Sequence, residues 1–436
     1  PCLPAANETL AVARLATDTG RPQKRPMTET APLRWQETTS TQRRTLLAAG
    51  LGWMLDAYDV MLYSLVLATL MREFGMSKET AGLLNTLTLV ASAIGSVIIG
   101  ILADRYGRRR MLSTSILIYS FATFACGFSS TIFILAVFRF ILGLGMGGEW
   151  NSGAALVAET WPAKWRGRAL GMVQSSWAIG YALAAVTAGV ILAHASWRWV
   201  FFVGVLPALV ALWVQHGVPE PEVWQRQVAA PQRAAARRSL WRLSGRNLIV
   251  LLAMNTFGMF AWWGLFTWIP AYLELPVAQG GRGFNLLGTT WFLLGLNLVG
   301  MLPGYLLFGV FADRYGRKRS LIIYLIAAAV LVPWLAAARR PGMILVAACL
   351  VAFFGTGFFT GSSIVGSELF PTAIRATALG ASYNVARGLS ALAPLIIGTI
   401  GQAHGLSGAF LLCGLSFGLA AACAVLLPET QGTEIN

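Results

Sequence analysis

Two aspartates three residues apart, Asp56 and Asp59, stand in the otherwise apolar and aromatic stretch LGWMLDAYDVMLYSL, Leu51 to Leu65. Arg139, Glu149 and Arg387 interrupt later apolar runs in the same way. An ionised side chain in hydrocarbon is costly unless it is paired or hydrated, so such residues mark function. Asp56 and Asp59 lie about 60° apart around a helix and can face one cavity. Two neighbouring carboxylates resist double ionisation, so one can bind and release a proton near neutral pH. His194, His216 and His404 fall at the ends of apolar runs, which leaves a carboxylate as the proton carrier at mid-depth. Glu149 can relay a proton or bridge to another helix. The alternative for the aspartates is a permanent structural bridge to Arg139, with Asp59 the better match in depth. Arg387, with Tyr383 and Asn384 close by in ASYNVARGLSALAP, is a fixed guanidinium suited to bidentate binding of a carboxylate. Its alternative is a pairing with Glu149.

Composition says what must hold these charges. Of 436 residues, 56% are hydrophobic and 12% charged, where a soluble domain carries roughly a quarter charged. The chain therefore reads as an all-α membrane protein, because a backbone in lipid must satisfy its own hydrogen bonds. Twelve spans are expected, over 46–72, 81–103, 111–129, 131–158, 168–193, 197–216, 248–272, 286–311, 320–338, 343–367, 376–400 and 407–427. At 1.5 Å per residue, Asp56, Asp59, Arg139 and Arg387 all fall near the bilayer midplane. The net charge of +15 reads as basic cytoplasmic loops, with no nucleic-acid partner. Placing both termini in the cytoplasm puts 25 Lys and Arg in inside segments and six outside.

The organisation expected is a disordered cytoplasmic N-terminal tail (1–45), a six-helix bundle (46–218), a basic linker (219–247), a second six-helix bundle (248–428) and a C-terminal tail (429–436). The first 45 residues are polar and lack the apolar core of a signal peptide. Met27 is a candidate start, with 1–26 an upstream extension. Cys2, Cys126, Cys349, Cys413 and Cys423 have no metal-ligand spacing and read as packing residues. The two bundles repeat at an offset of 209. GILADRYGRRRML from Gly100 matches GVFADRYGRKRSL from Gly309 at nine of thirteen positions. ETWPAKWRGRALG from Glu159 matches ELFPTAIRATALG from Glu368, and VPE at Val218 matches LPE at Leu427.

The loop Gly100, Asp104, Arg105, Gly107, Arg108, Arg109, with its near copy in the second half, resembles the signature of the major facilitator superfamily. RFILGLGMGGEW from Arg139 and the segment from Glu159 resemble proton-coupled metabolite symporters, including the sugar porters and the sialate and lactate–pyruvate group. DAYD is similar to the D-G-F/Y-D pattern of sialate and aromatic-acid symporters, with Ala57 in the glycine position. PEPEVW at Pro219 stands where sugar porters show P-E-S-P-R, and span five lacks the G-P pair of many drug–proton antiporters. The resemblance implies alternating access, with Asp104, Arg105, Arg108, Glu159, Arg166, Asp313, Arg314, Arg317, Glu368 and Arg375 as a gate. These contacts would hold the halves together when the carrier faces outward.

The expected function is proton-coupled symport of a small organic anion, a monocarboxylate or acidic sugar. Asp56, Asp59 and Glu149 would carry the proton. The expected substrate-binding set is Arg139, Arg387, Tyr383, Asn384, Asn151, Gln174, Trp177, Tyr181, Asn255, Trp262 and Asn297, although the aromatic members can equally be packing. Glycines 143, 145, 147 and 148 are expected to let span four pack closely. The alternatives are a porter of neutral sugar or polyol, a drug–proton antiporter and a non-transporting membrane sensor. No nucleophile–base pair, metal cluster or nucleotide motif is present, so an enzyme is not expected, nor is a cofactor. The expected partners are the small-molecule substrate, the proton and membrane lipid, with the chain a monomer.

Overall fold

The computed structural model describes residues 35–220, 234–370 and 372–431. The expected Met27 start, part of the linker and the last five residues lie outside the described residues, as do the side chains of Asp104, Asn151, Arg166 and Arg375.

All regular structure among the described residues is helical. The first half contains α1 (Ser40–Phe74), α2 (Lys78–Tyr106), α3 (Arg108–Cys126), α4 (Ile132–Thr160), α5 (Ala163–His194), α6 (Trp197–Val203) and α7 (Pro207–Gly217). The second contains α8 (Ala234–Phe266), α9 (Ile269–Glu274), α10 (Leu286–Gly295), α11 (Leu302–Tyr315), α12 (Arg317–Ala337), α13 (Pro341–Leu369), α14 (Thr372–Ser390), α15 (Ala393–His404) and α16 (Leu406–Val425). Among the described residues, eleven helical stretches are long and apolar enough to cross a membrane. The expected third span, α3, falls outside that set. It begins Arg108-Arg109-Arg110 and carries Ser113, Thr114, Ser115, Ser120 and Thr123, so its apolar content is low. Side chains such as Phe133, Ile101, Val299 and Val330 cover the outer faces with exposed apolar surface, as a lipid-facing belt requires.

Several expected single spans are broken, each near a proline that cannot donate a ladder hydrogen bond. Pro207 opens α7, Pro270 lies in α9, Pro303 follows a π-helical turn at Leu296–Met301, and Pro394 lies in α15. Helix also extends past the expected edges. α1 starts at Ser40 behind a capping box of Thr39 and Gln42. α8 starts at Ala234, inside the segment read as linker.

The repeat holds in three dimensions. Arg108, Ile132, Ala163 and Trp197 each open a helix, and 209 residues on so do Arg317, Pro341, Thr372 and Leu406. Gly95 of α2 lies under the Leu144 carbonyl of α4, where a methyl group would overlap it. Gly304 of α11 lies in the same way under the Phe353 carbonyl of α13. Glycine permits this backbone approach, as at other small-residue crossings. Gly143, Gly145, Gly147 and Gly148 likewise meet α2 or α3 at distances that leave no room for a side chain.

The two VPE/LPE matches acquire a structural role. Both Glu220 carboxylate oxygens accept from the Arg109 backbone N–H, at 3.2 and 3.1 Å. Glu429 accepts from the Arg317 backbone N–H at 2.9 Å. Each anion therefore sits at a helix N-terminus, the first of α3 and then of α12. Gly107 and Gly316, at φ 106° and 101°, turn the chain there in a conformation that other residues resist. A side chain at Gly107 would also strike Glu220. Burial pushes the Glu220 carboxyl up, and the backbone N–H groups and guanidinium groups of Arg108 and Arg109 pull it back. Replacing Glu220 or Glu429 by Ala is expected to cost about 1–2 kcal/mol each. Thermal unfolding of the detergent-purified protein reads this, and unchanged midpoints in both variants would refute the capping role.

Candidate functional site

Arg387, on α14, is buried to 1% exposure, and none of its three guanidinium nitrogens has a hydrogen-bond partner. It lines a cavity of about 10 Å³, room for roughly one water. Trp53 and Gln174, Trp177 from α1 and α5 line the first-half side. Trp262, Trp263, Tyr305, Phe359 and Tyr383 line the second-half side. The rings interlock. Trp177 stands 4.8 Å from Trp53, 5.7 Å from Trp262 and 6.1 Å from Trp263, centroid to centroid. The Arg387 guanidinium lies 5.8 Å from the Trp263 centroid, which offers it a weakly attractive π face. Trp150 and Tyr383 meet at 5.7 Å between the halves.

The three acids gather in the first half. Asp56, Asp59 and Glu149 are each buried to 1% exposure. One oxygen each of Asp56 and Glu149 is unpartnered, and the Thr123 hydroxyl lies beside the Asp59 carboxylate. All three act electrostatically on the Tyr119 hydroxyl. Arg387 acts on both Asp56 and Glu149 across the interface between the halves, yet forms an ion pair with neither. The acids and this cation are therefore within each other's field without being locked together. Gly52 makes room for Glu149, because a methyl group there would overlap the Glu149 Oε1.

The alternative considered for the aspartates, a bridge between Asp59 and Arg139, does not form. Arg139 Nε donates to Thr88 Oγ1 and its Nη2 to Asn85 Oδ1, both at 2.9 Å, and its guanidinium stacks 4.0 Å from the Tyr63 centroid. The two residues share a depth, but Arg139 turns toward α2. Asn85 passes the contact on, donating to Thr267 Oγ1 in the second half at 3.0 Å. Arg139 thus lies outside the cavity wall, against expectation.

Other expected ligands are occupied elsewhere. Asn255 accepts from Ser362 at 2.5 Å, and Asn297 donates to the Leu293 carbonyl at 2.8 Å inside its own helix. Tyr181 reaches the Phe266 carbonyl, and Asn384 is buried without lining the cavity. Gln174, Trp177, Trp262, Tyr383 and Arg387 do line it. Trp53, Trp263, Tyr305 and Phe359 stand outside the expected set, because an aromatic residue in an apolar run carries no signal that separates cavity wall from packing.

The two ends of the molecule differ. At the Ser77 end the halves are joined. Lys78 Nζ donates to the Gln279 and Gly401 carbonyls at 2.8 and 3.2 Å, and its backbone N–H to Gln402. Gly82 lies under the Pro394 carbonyl, while Gly398 lies under the Lys78 carbonyl. At the Arg108 end, Arg108 pairs with Glu159 at 3.3 Å, and Arg317 pairs with Glu368 at 3.4 Å and with Asp313. The expected gate contacts thus stay within one half or the other among the described side chains. Each of these described contacts ties a loop to helices of its own half. Arg105 and Arg314 lie over the neighbouring Tyr106 and Tyr315 rings.

The Major Facilitator Superfamily family model matches residues 49–293 and 275–435. The chain is 33% identical over 413 residues to a probable 4-methylmuconolactone transporter of Cupriavidus pinatubonensis, covering 92% of this chain and 94% of that one. It is 32% identical over 386 residues to the cis,cis-muconate transport protein of Acinetobacter baylyi, covering 86% and 92%. Among solved structures, a D-xylose–proton symporter aligns with a TM-score of 0.73 at 22% identity, covering 90% of this chain and 99% of that one. At that identity the likeness is one of fold.

The Gly52–Glu149 contact makes a specific prediction. Gly52→Ala should cost about 1–3 kcal/mol by overpacking, and Glu149→Ala in the same chain should restore most of it. Thermal unfolding of the two single variants and the double variant measures the coupling. Simple additivity would mean that the carboxylate is not what fills the space.

Proposed function

We propose that this chain, which belongs to the Major Facilitator Superfamily, is a proton-coupled symporter that takes up a small, planar organic anion. Relatives named for muconate and methylmuconolactone support an organic-acid substrate. The observation that carries the reading is Arg387, a permanently charged group buried among aromatic rings with no hydrogen-bond partner. A carboxylate supplies the paired acceptor oxygens that a guanidinium fork needs. The flat rings of Trp177, Trp262 and Trp263 favour a flat, unsaturated body over a sugar ring. A neutral solute would leave the cation uncompensated.

The acids supply the coupling. With Asp56 and Glu149 ionised, their field holds Arg387 and opposes entry of a second anion. Protonating one of them weakens that hold and leaves the guanidinium free for substrate. Asp59, buried beside Asp56, is the site through which the proton reaches them. When one proton accompanies one monovalent anion, no net charge moves. The membrane potential, worth about 2.3 kcal/mol per charge per 100 mV, then drops out, and the proton gradient drives accumulation.

The architecture proposed is two six-helix bundles, twelve spans in all, with α3 as the third. α3 is lined by α4 and α7 as α12 is by α13 and α16. Both termini face the cytoplasm by the excess of inside Lys and Arg. The joined Ser77 end is then external, and the conformation belongs to the inward-facing side of the cycle.

Proteoliposome transport tests the reading. Organic-acid uptake should rise with an inward-directed proton gradient and collapse with a protonophore. Uptake that rises with an outward-directed gradient would make the protein an antiporter. Asp59→Asn should abolish proton-driven accumulation while sparing exchange, and full accumulation in that variant would remove Asp59 from the proton path. Arg387→Ala should weaken anion binding about tenfold or more, the loss of a charge-assisted bidentate contact. Unchanged affinity would return Arg387 to a structural role.

A further inference from the structure

Between α3 and α7, away from the site at Arg387, lies an open groove of about 390 Å³. That volume falls within the range of small-molecule sites, about 300–1,000 Å³. Tyr106, Arg110, Ser113 and Thr114 line it with polar groups, and Leu117 and Leu212 with apolar ones. Arg110 and Leu117 lie about 10 Å apart along α3, so the groove runs from charge into hydrocarbon. Arg108 and Arg109 pair with Glu159 and Glu220. Arg110 is exposed and has no ion pair among the described residues.

A basic residue at the end of a span ordinarily marks topology and reaches toward the headgroups. Arg110 alone asks for no more than that, but Ser113 does. It is 4% exposed, its hydroxyl has no hydrogen-bond partner, and it lines the groove, whereas buried polar groups are nearly always paired. The repeat supplies a comparison. At the 209 offset the basic and aromatic residues persist as Arg319 and Tyr315, while Ser113 and Thr114 become Ile322 and Ile323. The fold therefore accepts isoleucine at both positions, and the hydroxyls of the first half are an addition to it. They contribute to the low hydropathy that separates α3 from the other spans.

We infer that the groove holds an anionic phospholipid. Its phosphodiester meets Arg110 and the Ser113 and Thr114 hydroxyls, and its acyl chains start along Leu117 and Leu212. A guanidinium and two hydroxyls supply donors, and an ionised phosphodiester offers only acceptors. No carboxylate lines the groove among the described residues, so the cationic end of a zwitterionic headgroup would lie near Arg110 without a partner. The apolar remainder suits acyl chains and gives nothing to a soluble phosphate. Under the orientation proposed above, the groove opens to the inner leaflet, where basic pockets between spans meet anionic headgroups.

Native mass spectrometry of the full-length, detergent-purified protein tests this by titration with phosphatidylglycerol and with phosphatidylcholine of the same acyl chains. Phosphatidylglycerol should bind about tenfold tighter. Arg110→Gln, an exposed change that leaves the thermal midpoint in place, should remove most of that preference. Arg319→Gln, at the matching exposed position of the second half, should leave it unchanged. Ser113→Ile/Thr114→Ile, which copies the second half, should weaken phosphatidylglycerol about fivefold. An excess of glycerol 3-phosphate should not displace the lipid. Equal binding of the two lipids by the unaltered protein would overturn the inference. So would a preference that survives in Arg110→Gln, one lost equally in Arg319→Gln, or undiminished binding in the double variant. Displacement by glycerol 3-phosphate would assign the groove to a soluble phosphate and overturn the lipid. None of these outcomes alters the anion site at Arg387, which lies elsewhere in the fold.

Discussion

A guanidinium cannot lose its proton at any pH a cell meets, and Arg387 is almost wholly buried without a paired carboxylate. The arrangement around it follows from that constraint. Asp56 and Glu149 feel its charge, yet neither forms an ion pair with it, which would neutralise the cation permanently. The Trp263 face supplies weak electrostatic support. The glycine at position 52 lets one of the acids approach. A fully satisfied ion pair would be more comfortable and would have no capacity left for a ligand.

Arg139, also buried, is held at two of its three guanidinium nitrogens. It has two hydrogen bonds and an aromatic face, and through Asn85 it contacts the second half at Thr267. One arginine thus supports a contact between the halves, while the other lines the cavity. The Arg108 end works differently again. There Glu159, Glu220, Glu368 and Glu429 fasten each loop to its own half, so separating the halves breaks none of those described contacts.

Much of this was legible in the sequence, for reasons of physics. Apolar runs declared the spans because lipid leaves the backbone no alternative. The 209-residue offset declared the repeat because its loop motifs are polar islands in an apolar chain. α3 was read as a span like the others, although its serines and threonines leave it short of the hydropathy of its neighbours. The buried charges were identifiable one by one, but their pairings were not. Depth along a helix can be counted from sequence, whereas the direction a side chain faces depends on helix rotation and packing. Asp59 and Arg139 share the first coordinate and differ in the second. Asn255 and Asn297 show the same limit, since an amide in an apolar run is as readily satisfied by a neighbouring hydroxyl or its own helix as by a cavity. Glu220 and Glu429 were visible only as repeat markers, because their capping role needs the chain to return to a helix more than a hundred residues earlier.

The seam at the Ser77 end is reciprocal. Gly82 of one half fits beneath the Pro394 carbonyl of the other, and Gly398 of the second fits beneath Lys78 of the first. Two such notches, each without room for a methyl group, can mate in a single register. A slip along either helix would drive a side chain into a carbonyl. The joint therefore behaves as a latch with a click and not as a sliding clamp. Close-packed interfaces of this kind switch between discrete arrangements. A carrier fastened this way would leak little by half-opening, since partial separation forfeits the contact without gaining any other.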